Sequence, residues 1–297
     1  MKDREDRPVM AITSGHPTER LDVSGLDVAY VQAGRGDPAL VLVHGFTGSK
    51  EDFADHMDWL GRRRRVIAFD HRGHGESAWA HSYSFDLVRR DLAGVVDSLG
   101  LERFVLLGHS MGGFVAQLYA LAAPERLAGL VLMGTGPGPL RLDPDSLQTA
   151  GLARHIALEA GMEALLTAQK ALAESESAPD VLASEADEAL RRERPGYLEF
   201  CDAKFLATDP RAYDGLLGDI LAQDDRTDAL RSLDVPTLVV VGDEDRAFRK
   251  AARRMAEAIP GARFAEIAGA GHSPQFEAPQ PWRDSVGSFL DDLEDRP

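Results

Sequence analysis

The stretch from Phe104 to Ala123, FVLLGHSMGGFVAQLYALAA, limits what this chain can fold into more than any other. Phe104 to Leu107 is a run of large apolar residues, which is how a strand buried on both faces reads. From Met111 onward, Val115, Leu118, Tyr119 and Ala122 recur at helical spacing. Between the two, Gly108, Ser110 and Gly112 form G-x-S-x-G. A serine joining such a strand to such a helix sits on a tight, strained turn. Side chains two positions either side of it would collide with neighbouring backbone, so both places favour a residue without Cβ. The hydroxyl is left exposed above the sheet edge, at the positive end of a helix. Ser110 is therefore the candidate nucleophile. The strand and helix distinguish it from a serine in any glycine-rich turn.

The remaining pattern alternates strands with helices, the mark of an α/β fold with a mostly parallel central sheet and helices on both faces. Residues 1 to about 20 are polar and read as a frayed end. Leu26–Gln32 and Ala39–Val43 read as strands, Lys50–Leu60 as a helix and Val66–Phe69 as a strand. Phe85–Leu99 reads as an amphipathic helix with Leu87, Leu92, Val95, Val96 and Leu99 inward and Arg89, Arg90 and Asp91 outward, ended by Gly100. Leu127–Met133 is a further strand, closed by the breaker GTGPGP. From about Leu140 to Thr227 the chain turns rich in Ala, Leu, Glu and Asp, with no strand-like run. HIALEAGMEALLTAQKALAE and VLASEADEALRRE carry helical periodicity, and Pro179, Pro195 and Pro210 separate segments. This is a helical insertion, and its place after a strand's carboxyl end would lay it over Ser110 as a lid. The expected division is a core of residues 1–135 and 228–297 and a cap of residues 136–227. Pro236–Val241, Arg249–Ile259, Arg263–Ile267 and Pro281–Leu293 then read as strand, helix, strand and helix.

Composition narrows the partners. The net charge of −16 works against nucleic acid and anionic membrane surfaces, and against strongly anionic substrates. No stretch approaches the ~18 apolar residues of a membrane span. MKDREDRPVM lacks the apolar centre of a signal peptide. One cysteine, Cys201, allows no intrachain disulfide and reads as small buried filler. The expected location is cytoplasmic. The expected partner is a small-molecule ester or related carbonyl compound, and a homodimer stays open. The arginine run Arg62–Arg65 reads as a solvated lead-in to a strand. In DHRGHGES, Asp70 and Arg72 are expected to pin a two-glycine turn. No Cys/His cluster supports a metal at His71 and His74.

A serine hydroxyl is a poor nucleophile until a base takes its proton, and the base is best a histidine held by a carboxylate. Of nine histidines, His272 is best placed, in a glycine-flanked loop after the last short strand. His109 adjoins Ser110 on a sharp turn, where adjacent side chains point apart, so it reads as structural or pocket-lining. Asp245 is the leading carboxylate because it has the loop length to bend towards His272, with Asp243 and Glu244 as weaker candidates. The oxyanion of a tetrahedral intermediate needs preorganised donors. The backbone N–H groups of Met111 and Phe46 are the candidates. The loop HGFTGS at 44–49 ends a buried strand, where such folds place ligands. His44 and Gly45 in it, with His109, are the expected substrate-binding residues.

Four motifs agree in order: HGFTGS at 44–49, DHRGHGES at 70–77, GHSMGG at 108–113, and GDED with GAGHSPQFEAP at 242–245 and 269–279. On these the chain resembles the α/β-hydrolase superfamily, in the lidded branch holding esterases, C–C bond hydrolases and enol-lactonases. The resemblance implies a helical lid after the sixth strand, Ser110 as nucleophile, Asp245 as acid, His272 as base, Phe46 and Met111 as oxyanion donors, and no cofactor and no metal. One departure is the missing proline after the acid, in Asp245-Arg246-Ala247-Phe248. Serine rather than aspartate at position 110 points away from dehalogenases and epoxide hydrolases. Ester hydrolysis is the leading expectation. A C–C bond hydrolase would need a cation for its substrate's carboxylate, with Arg72, Arg246 and Arg249 as the candidates. HGFTGS followed by Glu51-Asp52-Phe53 is similar to the loop of menaquinone-pathway synthases. A receptor that does not turn over its ligand can keep the same triad.

Overall fold

The computed structural model describes residues 8, 10–173 and 184–294. Its centre is an eight-stranded sheet of order β1-β2-β4-β3-β5-β6-β7-β8. The strands are β1 (Glu19–Val23), β2 (Leu26–Ala33), β3 (Ala39–Val43), β4 (Val66–Phe69), β5 (Phe104–His109), β6 (Leu127–Met133), β7 (Thr237–Gly242) and β8 (Arg263–Ile267). β1 and β2 run antiparallel to their neighbours, and the other pairings are parallel. Every residue of β3, β4, β5 and β7 is buried, as continuous apolar strands covered on both faces must be.

Two apolar layers provide that cover. On one face α2 (Phe85–Ser98), α3 (Met111–Ala122) and α9 (Arg249–Ala258) bury Leu92, Phe114 and Met255 against Val41, Leu106 and Val239. On the other, α1 (Met57–Leu60) and α11 (Pro279–Glu294) bury Met57, Trp282 and Phe289 against Leu42, Val105 and Val240. Between β6 and β7 come α4 (Pro144–Ala173), α5 (Glu185–Glu193), α6 (Tyr197–Leu206), α7 (Pro210–Ala222) and α8 (Thr227–Leu230). α4 breaks at Gly161, whose φ of 85° and ψ of 174° are not helical. It packs on α6 and α7, whereas α8 packs on α9 and α3. Pro210 opens α7, where its missing N–H costs nothing, whereas Pro179 lies outside the described residues. α10 (Pro274–Glu277) follows the loop that holds His272.

Four expectations change. The expected fraying of the first 20 residues gives way at Glu19 to an edge strand, β1, paired in register with β2. Lys50–Leu60 is not one α-helix: Lys50–His56 is a tighter 3₁₀ segment and only Met57–Leu60 is α-helical. The Lys50 backbone N–H there donates to Asp70 at 2.7 Å. Arg64 is not solvated: its guanidinium is buried against α11, donating to Leu290 O and Glu294. Asp91 does not face solvent. It is buried, and both its oxygens accept from Arg72, at 2.5 and 2.6 Å. For β1 the strand pairing with β2, and in the other three cases a distant charged partner, overrides the local pattern.

The Arg72–Asp91 fork ties the loop after β4 to α2. Removing one partner of a buried pair strands the other charge. Arg72→Met is expected to cost about 3–5 kcal/mol in denaturant unfolding. The double variant Arg72→Met/Asp91→Leu is expected to recover most of that loss.

Candidate active site

β3 and β5 are adjacent parallel strands, and the chain leaves β3 for β4 on one side and β5 for β6 on the other. Their carboxyl ends therefore open the crevice where such sheets hold ligands. Ser110 stands there at φ 53° and ψ −116°, a left-handed conformation a non-glycine residue seldom adopts. A Cβ on Gly108 would strike Gly112 O, and one on Gly112 would strike the carbonyls of Val43 and His44. The two glycines thus let α3 close on β5 and β3 and press the serine outward.

Ser110 Oγ lies 2.9 Å from His272 Nε2, and His272 Nδ1 lies 3.0 Å from Asp245 Oδ2. The carboxylate can only accept, so Nδ1 carries the hydrogen and Nε2 is left to accept from the serine hydroxyl. Asp245 is buried, and its other oxygen accepts from Phe248 N at 2.9 Å. The two neighbouring acids have other partners: Asp243 accepts from Gly269 N and Glu244 from Glu185 N. Geometry thus separates three acids that the sequence leaves as competitors. Burial works against charging the His272 ring, yet the Asp245 carboxylate holds its pKa above the ordinary 6.5. Burial likewise opposes the charge of Asp245, and the His272 partner brings its pKa below the ordinary carboxylate value.

His109 lines the site without touching the serine hydroxyl. Its Nε2 donates to His272 O at 2.8 Å and its ring lies 5.1 Å from the His272 ring. Burial, and then the neighbouring His272, push its pKa down to about 4, so it stays neutral. Gly45 also lines the cavity; its α-carbon faces the Ser110 and His109 side chains. Phe46 lines the cavity and packs on Tyr213 of α7, with ring centres 4.9 Å apart. The Met111 side chain is in the core, and its N–H is the first of α3, a position with no acceptor inside a helix.

His44, an expected substrate-binding residue, does not line the cavity. Its buried ring donates from Nδ1 to Gly45 O at 2.7 Å and accepts the His71 N–H at Nε2, at 3.0 Å. Both ring nitrogens are spent within the loops after β3 and β4, so none is left for a ligand. Burial holds its pKa well below the usual value, in keeping with that neutral tautomer. His74 and His71 likewise place one ring nitrogen each on a backbone carbonyl.

The cavity over Ser110 has a volume of about 310 Å³. Its far wall is the inserted helices: Leu166 of α4, Asp187 and Arg191 of α5, and Cys201, Lys204 and Phe205 of α6. Cys201 is therefore partly buried, on the cavity wall, rather than fully buried filler. Arg72 is held by Asp91, Arg249 pairs with Glu266, and Arg246 is exposed outside the cavity, so none of the three expected cations reaches it. Among the described residues, Arg191 and Lys204 are the lysine and arginine side chains that line it.

Two supports escaped the sequence. Phe248 stacks on His272, with ring centres 5.3 Å apart and planes inclined by 24°, in the segment where the expected proline is missing. Glu277 accepts from Gly271 N, from Ser273 N at 2.7 Å and from Ser184 Oγ at 2.9 Å, so it grips the histidine loop from both sides of His272. The spacing of GHSPQFE held the signal: four residues past Ser273 and one turn into α10, a carboxylate can reach back to the N–H groups before it.

Comparison with known proteins identifies the family. Residues 38–279 match the family model described as "alpha/beta hydrolase fold". The chain belongs to that family and is a hydrolase of the α/β type. It is 29% identical over 281 residues to a putative 2-succinyl-6-hydroxy-2,4-cyclohexadiene-1-carboxylate synthase of Bacillus subtilis, covering 89% of this chain and 95% of that one. Among solved structures it is similar to a thermophilic esterase from Thermogutta terrifontis, at TM-score 0.78 and 28% identity, covering 93% of this chain and 99% of that one. It is equally similar in shape to the enol-lactonase from Burkholderia xenovorans, at TM-score 0.78 and 25% identity, covering 92% and 100%. Among the described residues no helix is long and apolar enough to cross a membrane.

The His272–Asp245 pair has a pH signature independent of turnover. A histidine whose folded pKa exceeds its unfolded value stabilises the fold fully below the unfolded pKa, and that contribution fades as pH rises through the folded one. A ring titration followed by NMR is expected to place the His272 midpoint above pH 6.5. In Asp245→Asn, where only the weaker pull of Glu277 and Asp187 is left to oppose burial, the midpoint is expected to fall from its wild-type place.

Proposed function

We propose that this protein is a serine hydrolase that cleaves small carboxylic esters. The observation that carries the reading is the hydrogen-bonded line from Ser110 Oγ through His272 to Asp245 at the foot of the cavity. In this reading His272 Nε2 takes the hydroxyl proton as Ser110 Oγ bonds to the ester carbonyl carbon. The N–H groups of Phe46 and Met111 hold the resulting oxyanion. The intermediate collapses, the C–O bond to the alcohol breaks, and the alcohol leaves with the proton from His272. Water then attacks the acyl-enzyme, giving a proton to His272, and the acid departs as Ser110 regains its hydrogen. Asp245 keeps the ring oriented and offsets the imidazolium charge that forms twice per cycle.

The cavity of about 310 Å³ lies at the small end of the range for ligand sites, which supports a short acyl or alcohol group rather than a long lipid chain. The similarity to a Thermogutta esterase over 93% of the chain supports the ester reading. The similarity to the Bacillus synthase, together with HGFTGS followed by Glu51-Asp52-Phe53, makes a synthase-like lyase the second reading. His272 would then serve as a base towards a carbon acid without any acyl-enzyme.

Hydrolysis of p-nitrophenyl esters from acetate to decanoate separates them. The ester reading expects rapid turnover with an optimum at short chains, and a fall of about 10⁴-fold or more in kcat for Ser110→Ala and His272→Ala. Turnover that survives Ser110→Ala, or its absence in the wild type, would sink that reading.

A further inference from the structure

Among the groups lining the cavity, the charged side chains divide by how fully they are used. Glu277 accepts three hydrogen bonds, and Asp52 accepts from Ser49 N at 3.4 Å and from Lys204 Nζ at 2.7 Å. Asp202 accepts from Lys170 Nζ, and Asp187 accepts from Arg191 Nε at 2.6 Å. The two cations are far from saturated. Lys204 has three N–H groups, and Asp52 is their one hydrogen-bond partner among the described residues. Arg191 has five, and among the described residues only its Nε–H is engaged.

Lys204 also sits close to the chemistry. Its Nζ lies 4.7 Å from the centre of the Phe200 ring and 5.9 Å from that of Phe276, just beyond the histidine loop. Asp52 anchors it from the other side, in the segment that follows Phe46. The lysine is therefore held upright between the loop carrying one candidate oxyanion donor and the loop carrying the base. It cannot swing out to water: its side chain is only 18% exposed. Arg191, one helix earlier and 46% exposed, stands nearer the mouth. Leu166, Phe46 and Phe205 supply apolar lining to the same cavity. A cavity that joins apolar lining to two cations with spare donors matches an acyl chain that ends in an anion.

We propose that Lys204 and Arg191 form an anion-recognition subsite in the cap, and that the preferred substrates are esters carrying a free carboxylate, such as monoesters of short dicarboxylic acids. This rests on the serine-hydrolase reading above and names its substrate class. The overall charge of −16 does not oppose it, because fields from distant surface charges fade over about 8 Å at physiological salt. The subsite acts at contact distance. It also differs from the cations the motifs suggested, since Arg72, Arg246 and Arg249 do not line the cavity.

The test compares monomethyl with dimethyl esters of the acids from succinic to suberic, following acid release by pH-stat. Each pair shares a chain and differs in one negative charge. The wild type is expected to favour the monoester by about 10- to 100-fold in kcat/KM at the best chain length, the range of one or two charge-assisted hydrogen bonds. Arg191→Gln and Lys204→Met are each expected to bring the ratio towards one, chiefly through KM. Lys204→Met leaves Asp52 without its cation, so should it fail to fold, Arg191→Gln on an exposed position decides alone. Dimethyl esters turned over as well as monoesters would overturn the subsite and leave the serine-hydrolase reading standing. If the wild type cleaves no ester at all, that reading fails. Titration calorimetry with adipate, against neutral adipamide, then decides the subsite. Binding of adipate alone, lost in Arg191→Gln, upholds it, and equal or absent binding overturns it.

Discussion

The backbone of Ser110 is the constraint on which the rest of the site depends. A serine at φ 53° and ψ −116° is strained by about 1–3 kcal/mol and persists only where the surroundings hold it there. The hold here is backbone against backbone. Gly108 and Gly112 let the start of α3 rest on the ends of β5 and β3, where any Cβ would meet a carbonyl oxygen or α3 itself. Ser110 N is pinned to Met133 O at 2.8 Å, and Ser110 O accepts from Gly113 N and Phe114 N. With its own amide groups tied on both sides, the residue cannot relax without breaking the β5–β6 pairing or the first turn of α3. Its hydroxyl is therefore fixed relative to the sheet, and the His272 ring has only to be brought to it.

Bringing His272 there is the work of loops, and loops need polar anchoring. A buried network behind the site does this for the segments after β3 and β4. Lys50 is fully buried and meets Glu51, Asp70 and Glu76 at 3.0, 3.3 and 2.6 Å. Asp70 in turn accepts the backbone N–H groups of Lys50 and Glu76. Gly75, at φ 47°, passes where a side chain would collide with the Asp70 carboxylate. His44 then accepts the His71 N–H at Nε2, linking the two loops, while its Nδ1 is held by Gly45 O of its own loop. On the far side Glu277 holds Gly271 and Ser273, Asp243 holds Gly269, and Phe248 backs the His272 ring. A carboxylate that accepts several backbone N–H groups fixes a loop more rigidly than apolar contact does, because it specifies direction as well as distance.

How much of this was legible follows from whether the signal is local. β5, the serine turn and α3 are set by twenty consecutive residues, and they stand where the pattern places them. The strand order could be narrowed in the same way, since apolar strands alternating with amphipathic helices permit few sheets. Asp245 could be ranked above Asp243 and Glu244 by loop length, but choosing it needed the position of His272, which lies 27 residues on. What the pattern misplaced are charged residues whose partners are remote. Asp91 and Arg64 look solvent-facing on their own elements and are buried because Arg72 and the carboxyl end of α11 meet them. His44 looks like a ligand residue because it sits in the ligand loop. Its use as a strut appears only once His71 is beside it. Glu19–Val23 became a strand because β2 was there to pair with.

The cap shows the other side of this rule. Each residue argued to move a proton or hold the oxyanion comes from a strand end of the core, where position follows from the sheet. The groups placed to choose a substrate come from α4, α5 and α6, whose inward faces helical periodicity alone does not identify. α5 is amphipathic in a strongly polar sense, so a reading by hydrophobicity turns Arg191 and Asp187 equally towards water or towards the serine. Tertiary contacts decide: the N-terminus of α5 is seated on Glu244 and Glu277, the carboxylates flanking the two base-side loops. α6 is seated on Asp52 through Lys204. The inserted helices are thus attached at the loops that carry Phe46, Asp245 and His272. In the proposed reading, a change in the sequence of these helices alters which substrate reaches Ser110 while the chemistry beneath it is kept, and a change in those loops alters both.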